Sequence, residues 1–221
     1  MIDSGSASIE IRGEQLLLLP ERAMYWPAAG MLLIADMHCG KAATFRARHV
    51  PIPDGNMEAD LAILSAVLER TGASSLAILG DWIHAAVGCT KDVMQAIDKW
   101  RAQHAQLQIH WIHGNHDVAP AELRSQFSFE EDATALDRGP FRLQHKPGVH
   151  QTLYTLAGHV HPKFTIGGHG IPRTHLPCFL FTPDCGILPS FGSFTGGMTI
   201  KSKPKERIFL VAGGNVLEWK Y

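Results

Sequence analysis

Five short polar clusters in this chain each follow an apolar run, and each holds groups that ligate divalent metals. They are Asp36-Met37-His38 after residues 31–35, Gly80-Asp81 after 76–79, Gly114-Asn115-His116-Asp117 after 109–112, His145 after 141–144, and Gly158-His159-Val160-His161 after 154–157. Carboxylate, imidazole and amide oxygen suit Mn2+, Fe or Zn2+, and the lack of thiolates among them argues against a structural zinc site. In α/β sheets ligands gather outside the carboxyl ends of the strands, where loops are free to carry function. Five clusters so placed would converge on one small region. Two metals about 3.5–4 Å apart polarise a phosphoryl group and hold a nucleophilic hydroxide between them, and a carboxylate between the ions, such as Asp81, can bridge them. The glycines before Asp81, Asn115 and His159 permit the tight turns that bring backbone close to a metal.

The elements that must position these clusters are legible in outline. Residues 8–19 and about 22–26 read as strands with turns at Gly13 and Pro20-Glu21, and the runs at 31–35, 76–79 and 109–112 read as buried strands. Residues 41–55 read as a loop, broken by Pro51, Pro53 and Gly55. A helix from about 57 to 70, capped by Asn56 or Asp54, puts Leu61, Leu64, Val67 and Leu68 on one face and stops at Gly72; a second, from about 90 to 104, presents Val93, Ile97 and Trp100. Beyond it, 141–145 and 154–157 are strand-like, and after His161 come Gly- and Pro-rich turns with short β segments at 178–181, 198–200, 208–211 and 216–219. No repeat or long linker divides the chain, so residues 1–221 are expected to form one domain able to bury a core unaided. A β-α-β-α-β first half and a β-rich second half predict an α/β (α+β) fold: two mixed β-sheets face to face with helices outside, a four-layer αββα sandwich.

Composition limits the function classes. Lys plus Arg number 20 against 21 Asp plus Glu, a net charge of −1, so no strong global field attracts polyanions and a nucleic-acid substrate would need a local patch or a partner. Cys39, Cys89, Cys178 and Cys185 form no CxxC pair and read as reduced residues of a cytoplasmic protein. The N-terminal stretch lacks a basic region before an apolar one, and LLLLP is too short to cross a bilayer, so no membrane association is expected.

The ordered set DxH, GD, GNHD, H and GHxH resembles the calcineurin-like metallophosphoesterase superfamily. GNHD alone is moderately specific, and all five in order at strand ends are a strong signal. The segments LPERAMYWP, LLIADMHCGKAATFR, PIPDG, LGDWIH, GHVHP and LPSFGSFTGG are similar to the bacterial ligase-associated DNA-damage-response metallophosphoesterases, over nearly the whole chain from Leu17 to Trp219. The resemblance implies manganese-dependent phosphodiesterase and DNA endonuclease activity in DNA repair, in functional association with a DNA ligase, a helicase and an exonuclease. It implies Asp36, His38 and His161 as ligands of one metal, Asn115, His145 and His159 as ligands of a second, and Asp81 as the bridge. It makes His116 the general acid at the leaving-group oxygen and Asp117 the group that orients His116. His150 is an alternative to His145, which is preferred because it ends a strand while His150 follows Pro147-Gly148. Rival readings are a phosphodiesterase of small or cyclic nucleotides, a phosphomonoesterase, and a non-catalytic scaffold.

Other residues are open to two readings. His84, three residues past Asp81, could reach a substrate phosphate or serve structure; Lys41, Arg46 and Arg48 follow DMH and could clamp phosphate or form a solvated basic loop. The stretch from Pro189 to Gly197 reads as support for the site wall, and Trp82, Trp100 and Trp111 as packing. Cys39 is expected to point away from the metals, and His104, His110, His169 and His175 match no motif.

Overall fold

The computed structural model describes residues 5–53, 55–117, 130–132, 134–168 and 171–220. Strands β1 (Ala7–Ile11), β2 (Glu14–Leu18) and β3 (Met24–Trp26) form an antiparallel meander that meets β4 (Met31–Ile34). From β4 the pairing turns parallel, through β5 (Ser75–Leu79), β6 (Gln108–Ile112) and β7 (Glu130–Asp132). Helices α1 (Lys41–Ala47), α2 (Asn56–Thr71) and α3 (Lys91–Gln103) lie in the crossovers.

The central strands read as unbroken apolar runs because both their faces are covered; every residue of β4 and β5 is buried. Leu32, Ile34, Leu76, Ile78, Ile109 and Trp111 share one core with Leu61 and Leu64 of α2 and Ile97 and Trp100 of α3. Their neighbours Met31, Leu33, Ala77, Leu79 and Ile112 face the other way, into a second core.

Among the described residues the second sheet has nine strands: β8 (Ala135–Arg138), β9 (Phe141–Gln144), β10 (Tyr154–Ala157), β11 (Pro162–Gly168), β12 (Ile171–Phe181), β13 (Cys185–Ile187), β14 (Met198–Ile200), β15 (Arg207–Ala212) and β16 (Asn215–Trp219). It too is mixed: β9, β10 and β13 run parallel, whereas β8, β12, β15 and β16 pair antiparallel. Phe141, Leu143, Tyr154, Leu156, Phe179 and Phe209 fill the space between the sheets. Each such side chain, fully buried, contributes about 1.5–3 kcal/mol. On the opposite face Cys178, Leu180, Ile187, Ile208 and Leu210 gather a third core with Phe164 and Ile166 of β11. Two mixed sheets with flanking helices make the α/β sandwich that the alternation of elements predicts. No described helix is long and apolar enough to cross a membrane.

Three local expectations are corrected. Residues 41–47 are helical, not loop: their Ala, Lys and Arg favour helix, and the Pro and Gly breakers act only beyond it. Helix α2 starts from Gly55 in the left-handed region, with Asn56 as its first helical residue; Asp54 lies outside the described residues. β11 and the first half of β12 are strands that Gly167, Gly168 and Pro172 disguised as turns.

Candidate metal centre

Parallel strands deliver their C-terminal ends to one place: β4 leads to Asp36, β5 to Asp81, β6 to Asn115, β9 to His145 and β10 to His159. The strand ends are tied together: the Asp36 N–H donates to the Gly80 carbonyl (3.1 Å), the His38 N–H to the Asp81 carbonyl (2.8 Å) and the Gly158 N–H to the His145 carbonyl (3.0 Å). Asp36, His38, Asp81, His159 and His161 all have positive φ, between 47° and 70°. Such a conformation costs an L-residue roughly 1–2 kcal/mol and persists where the surroundings over-determine it, as at ligand sites. Gly80 has φ +83°, and a Cβ there would stand 2.2 Å from His145 Nδ1; a Cβ on Gly114 would stand 2.1 Å from Asp81 Oδ1. Backbone approaches the site so closely at these positions that no side chain fits.

Two groups of ligand atoms result. Asp36, His38 and His161 present atoms within 4.8 Å of one another, and so do Asp81, His145 and His159. Asn115 joins the second group, its Oδ1 2.9 Å from His145 Nε2, which is also 3.0 Å from His159 Nδ1. Asp81 Oδ2 lies 3.6 Å from His145 Nε2 and 3.8 Å from His38 Nε2, between the groups.

Each carboxylate divides its oxygens. Asp36 Oδ2 accepts from the His159 N–H and Asp81 Oδ1 from the His116 N–H, both at 2.8 Å, leaving the other oxygen of each for the centre. His145 Nδ1 faces the Leu79 carbonyl at 3.0 Å, so Nε2 carries the lone pair. Asp36 Oδ1 and His161 Nε2 are buried without a hydrogen-bond partner in the chain, 3.3 Å apart. Leaving a buried polar atom unsatisfied costs about 1–3 kcal/mol; a divalent cation would accept both lone pairs, so the donor set fits a metal. Burial, and then the charges of Lys41, His161, His84 and His116, bring His38 down to about 2, which keeps it as the neutral imidazole that ligates metals. Burial raises the Asp81 carboxyl, against hydrogen bonding from His116 and the charge of His145.

His116 sits at the edge of the centre. Its Nδ1 is 3.1 Å from the His84 carbonyl, its ring stacks on that of His84 at 4.9 Å, and it meets His38 edge-on at 5.2 Å. Asp117, which the resemblance makes the group that orients His116, has its hydrogen bonds elsewhere. Its carboxylate accepts from the N–H groups of Asp81 (2.7 Å), Ile83 (2.9 Å) and Gly114 (2.8 Å) and from the Trp111 indole (3.2 Å), while the His116 ring has the His84 carbonyl as its partner. A buried acceptor with four converging donors holds two motif loops together.

His84 lies beside the centre, its Nδ1 3.2 Å from His38 Nδ1, and burial followed by Lys41, His116 and Arg48 lowers it to about 4. Lys41 opens α1 with Asp36 and Asp81 in electrostatic range; burial lowers it and these carboxylates raise it. Arg46 lines the same cleft as Lys41 and donates to the Ile52 carbonyl at 3.2 Å, bracing the loop after α1. His150 accepts from the Leu153 N–H at 3.1 Å in a turn, apart from the ligand groups that hold His145. Cys39 is buried in the helix-side core. Of the remaining histidines, His104 bonds Ser65 and His175 bonds Thr165, each at 2.8 Å, and His110 is buried in β6; His169 lies outside the described residues.

Pro189–Gly197 does wall the site: the Phe191 N–H donates to the Ala35 carbonyl at 2.8 Å. Asp60 holds that wall, accepting from Ser193 N (2.9 Å) and Oγ (3.1 Å). Asp60 was missed in the sequence. Its signal was a lone acid on the buried stripe of α2, with Leu64 and Val67.

A sandwich of two mixed sheets whose strand ends converge on clustered Asp, His and Asn defines a class. The profile of the calcineurin-like phosphoesterase family matches residues 31–219, and the chain belongs to that family of metal-dependent phosphoesterases. Among solved structures it is similar to the Pseudomonas putida nuclease MPE, at 36% identity over 97% of this chain and 100% of that one, with a TM-score of 0.84. The phosphoesterase Yfce from E. coli is 14% identical over 82% of this chain and 87% of its own, with a TM-score of 0.43. A search of curated proteins finds no match.

Proposed function

We propose that the protein is a dinuclear phosphodiesterase that uses Mn2+, cleaves DNA internally and serves DNA repair in the cytoplasm, with residues 1–221 as one domain. The observation that carries the dinuclear reading is the position of Asp81 Oδ2, 3.8 Å from His38 Nε2 of one ligand group and 3.6 Å from His145 Nε2 of the other. Similarity at 36% identity to a nuclease supports a nucleic-acid diester as substrate. Asp36, His38 and His161 would hold one ion, Asn115, His145 and His159 the other, and Asp81 both; Fe or Zn2+ would suit the same donors. When bound, the two ions supply Lewis-acid charge to the phosphoryl oxygens and lower the pKa of water.

The chain's own groups do the rest. Nδ1–H of His116 donates to the His84 carbonyl (3.1 Å), so Nε2 is the nitrogen that passes a proton to the leaving alkoxide oxygen. Lys41, in the cleft beside His38, and His84, whose Nδ1 is 3.2 Å from His38 Nδ1, would meet a non-bridging phosphate oxygen, and Arg46 would hold the loop after α1. A functional association with a DNA ligase, a helicase and an exonuclease belongs to the same reading. The net charge of −1 favours a second reading, in which small or cyclic nucleotide diesters are the main substrates.

The test is hydrolysis of a chromogenic phosphodiester with Mn2+, Mg2+, Zn2+ or EDTA, beside His116→Ala and Asp81→Ala. Expected is Mn2+-dependent turnover, abolished by EDTA and lowered by about 10² or more in each variant. No turnover with any metal in a folded protein overturns the catalytic reading, and faster turnover of the matching monoester overturns the diesterase.

A further inference from the structure

Among the described residues three clefts border the metal centre, and their charges differ. The one beside His38 and Lys41 also presents Glu58, Asp60 and Asp92. Among the described residues the other two hold Arg or Lys and no carboxylate. One lies beside Asn115 and His145 and contains His113, Arg142 and Lys146. The other lies beside His161 and contains Arg22, Lys163 and His175, with the hydroxyls of Ser190, Ser193 and Thr195. Each carboxylate-free cleft abuts a different ligand group: His145 belongs to one and His161 to the other.

We infer that a single nucleic-acid strand crosses the centre from the Lys146 cleft to the Lys163 cleft, its flanking phosphates held by these two lysines. Neither lysine has an ion-pair or hydrogen-bond partner for its ammonium among the described residues. By contrast, Arg142 is paired with Asp137 at 3.0 Å and Arg22 reaches the Gly192 carbonyl at 3.5 Å, so both are engaged in building the walls. The stem of Lys163 packs where residue 197 has no side chain: a Cβ on Gly197 would fall 2.7 Å from Lys163 Cε. A packed stem holds the charged head in a narrower range of positions than a free one. In the third cleft Lys41 and Arg46 are outnumbered by Glu58, Asp60 and Asp92, so beyond the phosphate at the metals a flanking phosphate gains more in the other two. This arrangement lets a chain of net charge −1 hold a polyanion through local fields.

The inference rests on the diesterase reading, and one experiment separates the two. Lys146→Ala, Lys163→Ala and the double variant are compared with the wild type on a single-stranded oligothymidylate and on a small chromogenic diester with Mn2+. Binding of the fluorescently labelled oligothymidylate is measured in EDTA across a salt series. Each substitution should lower kcat/KM on the oligonucleotide about fivefold more than on the small diester. Each should also flatten the slope of log affinity against log salt by about 0.7, the contribution of one phosphate contact to a single strand. Lys163→Arg should restore both. An unchanged slope in the double variant, or equal losses on both substrates, overturns the track. Loss of turnover on both substrates already in the wild type overturns the diesterase alone, and the binding series still decides the track.

Discussion

Asp117→Asn removes a charge from the heart of the motif loops while keeping the volume. In the native chain Oδ2 accepts from Asp81 N (2.7 Å), Gly114 N (2.8 Å) and Trp111 Nε1 (3.2 Å), and Oδ1 accepts from Ile83 N (2.9 Å). Asparagine can turn its carbonyl oxygen to the first three donors, but its NH2 then confronts the Ile83 N–H. One buried donor is left unsatisfied, at about 1–3 kcal/mol, and three charge-assisted bonds become neutral, each weaker by about 0.5–1.5 kcal/mol. Burial raises the Asp117 carboxyl, so part of the lost charge interaction is offset by relief of desolvation. The net loss works out near 2–4 kcal/mol, which in a chain of this size lowers Tm by roughly 4–16 °C. Calorimetry in EDTA reads this term without any contribution from bound metal. The pH–rate profile should keep its shape as kcat/KM falls, because the partner of His116 Nδ1 is the His84 carbonyl. An unchanged Tm together with a shifted limb of the profile would refute the reasoning and put Asp117 on the His116 ring.

Further outcomes follow from the same geometry. Mn2+ at 100 times its dissociation constant should stabilise the fold by about 2.7 kcal/mol, raising Tm by roughly 5–11 °C; His161→Ala should shrink that rise, and a metal-independent Tm would contradict the donor set. Gly80→Ala drives a methyl to 2.2 Å from His145 Nδ1 at φ +83°. A displacement near 1 Å costs about 10² in rate, whereas Gly72→Ala, at φ +64° with open space around it, should lose only about 1 kcal/mol of stability and no activity. Burial raises Glu21, but the paired bonds from Arg70 at 2.8 and 2.9 Å and its charge lower it further, so the net shift is downward. Its folded-state pKa being below the unfolded value, the pair stabilises above about pH 4.3 and loses that contribution as pH falls further. Arg70→Ala should therefore cost about 0.5–1 kcal/mol at pH 7, and urea melts of variant and wild type should converge toward pH 3; a gap that widens on acidification would reverse the sign.

Some features are written along the chain and some only across it. The apolar runs of β4, β5 and β6 and the polar clusters after them are local signals, since a strand buried on both faces reads as continuous hydrophobicity whatever covers it. Order and residue type in those clusters were enough to name the metal chemistry and the family. Helix α1 was hidden because seven residues show too little period before the breakers that follow, and β11 because its glycines and the proline of its partner strand resemble a turn. The approach of Asp36 to His161, the left-handed backbone at five of the site residues, and the grip of Asp117 on Asp81 and Gly114 are set by hydrogen bonds between distant segments. So is the sorting of clefts into those with carboxylates and those without. Hydrophobic periodicity acts between neighbours in sequence and can be read there. Metal-donor geometry, desolvation and electrostatic fields act through space, and only the folded chain decides them.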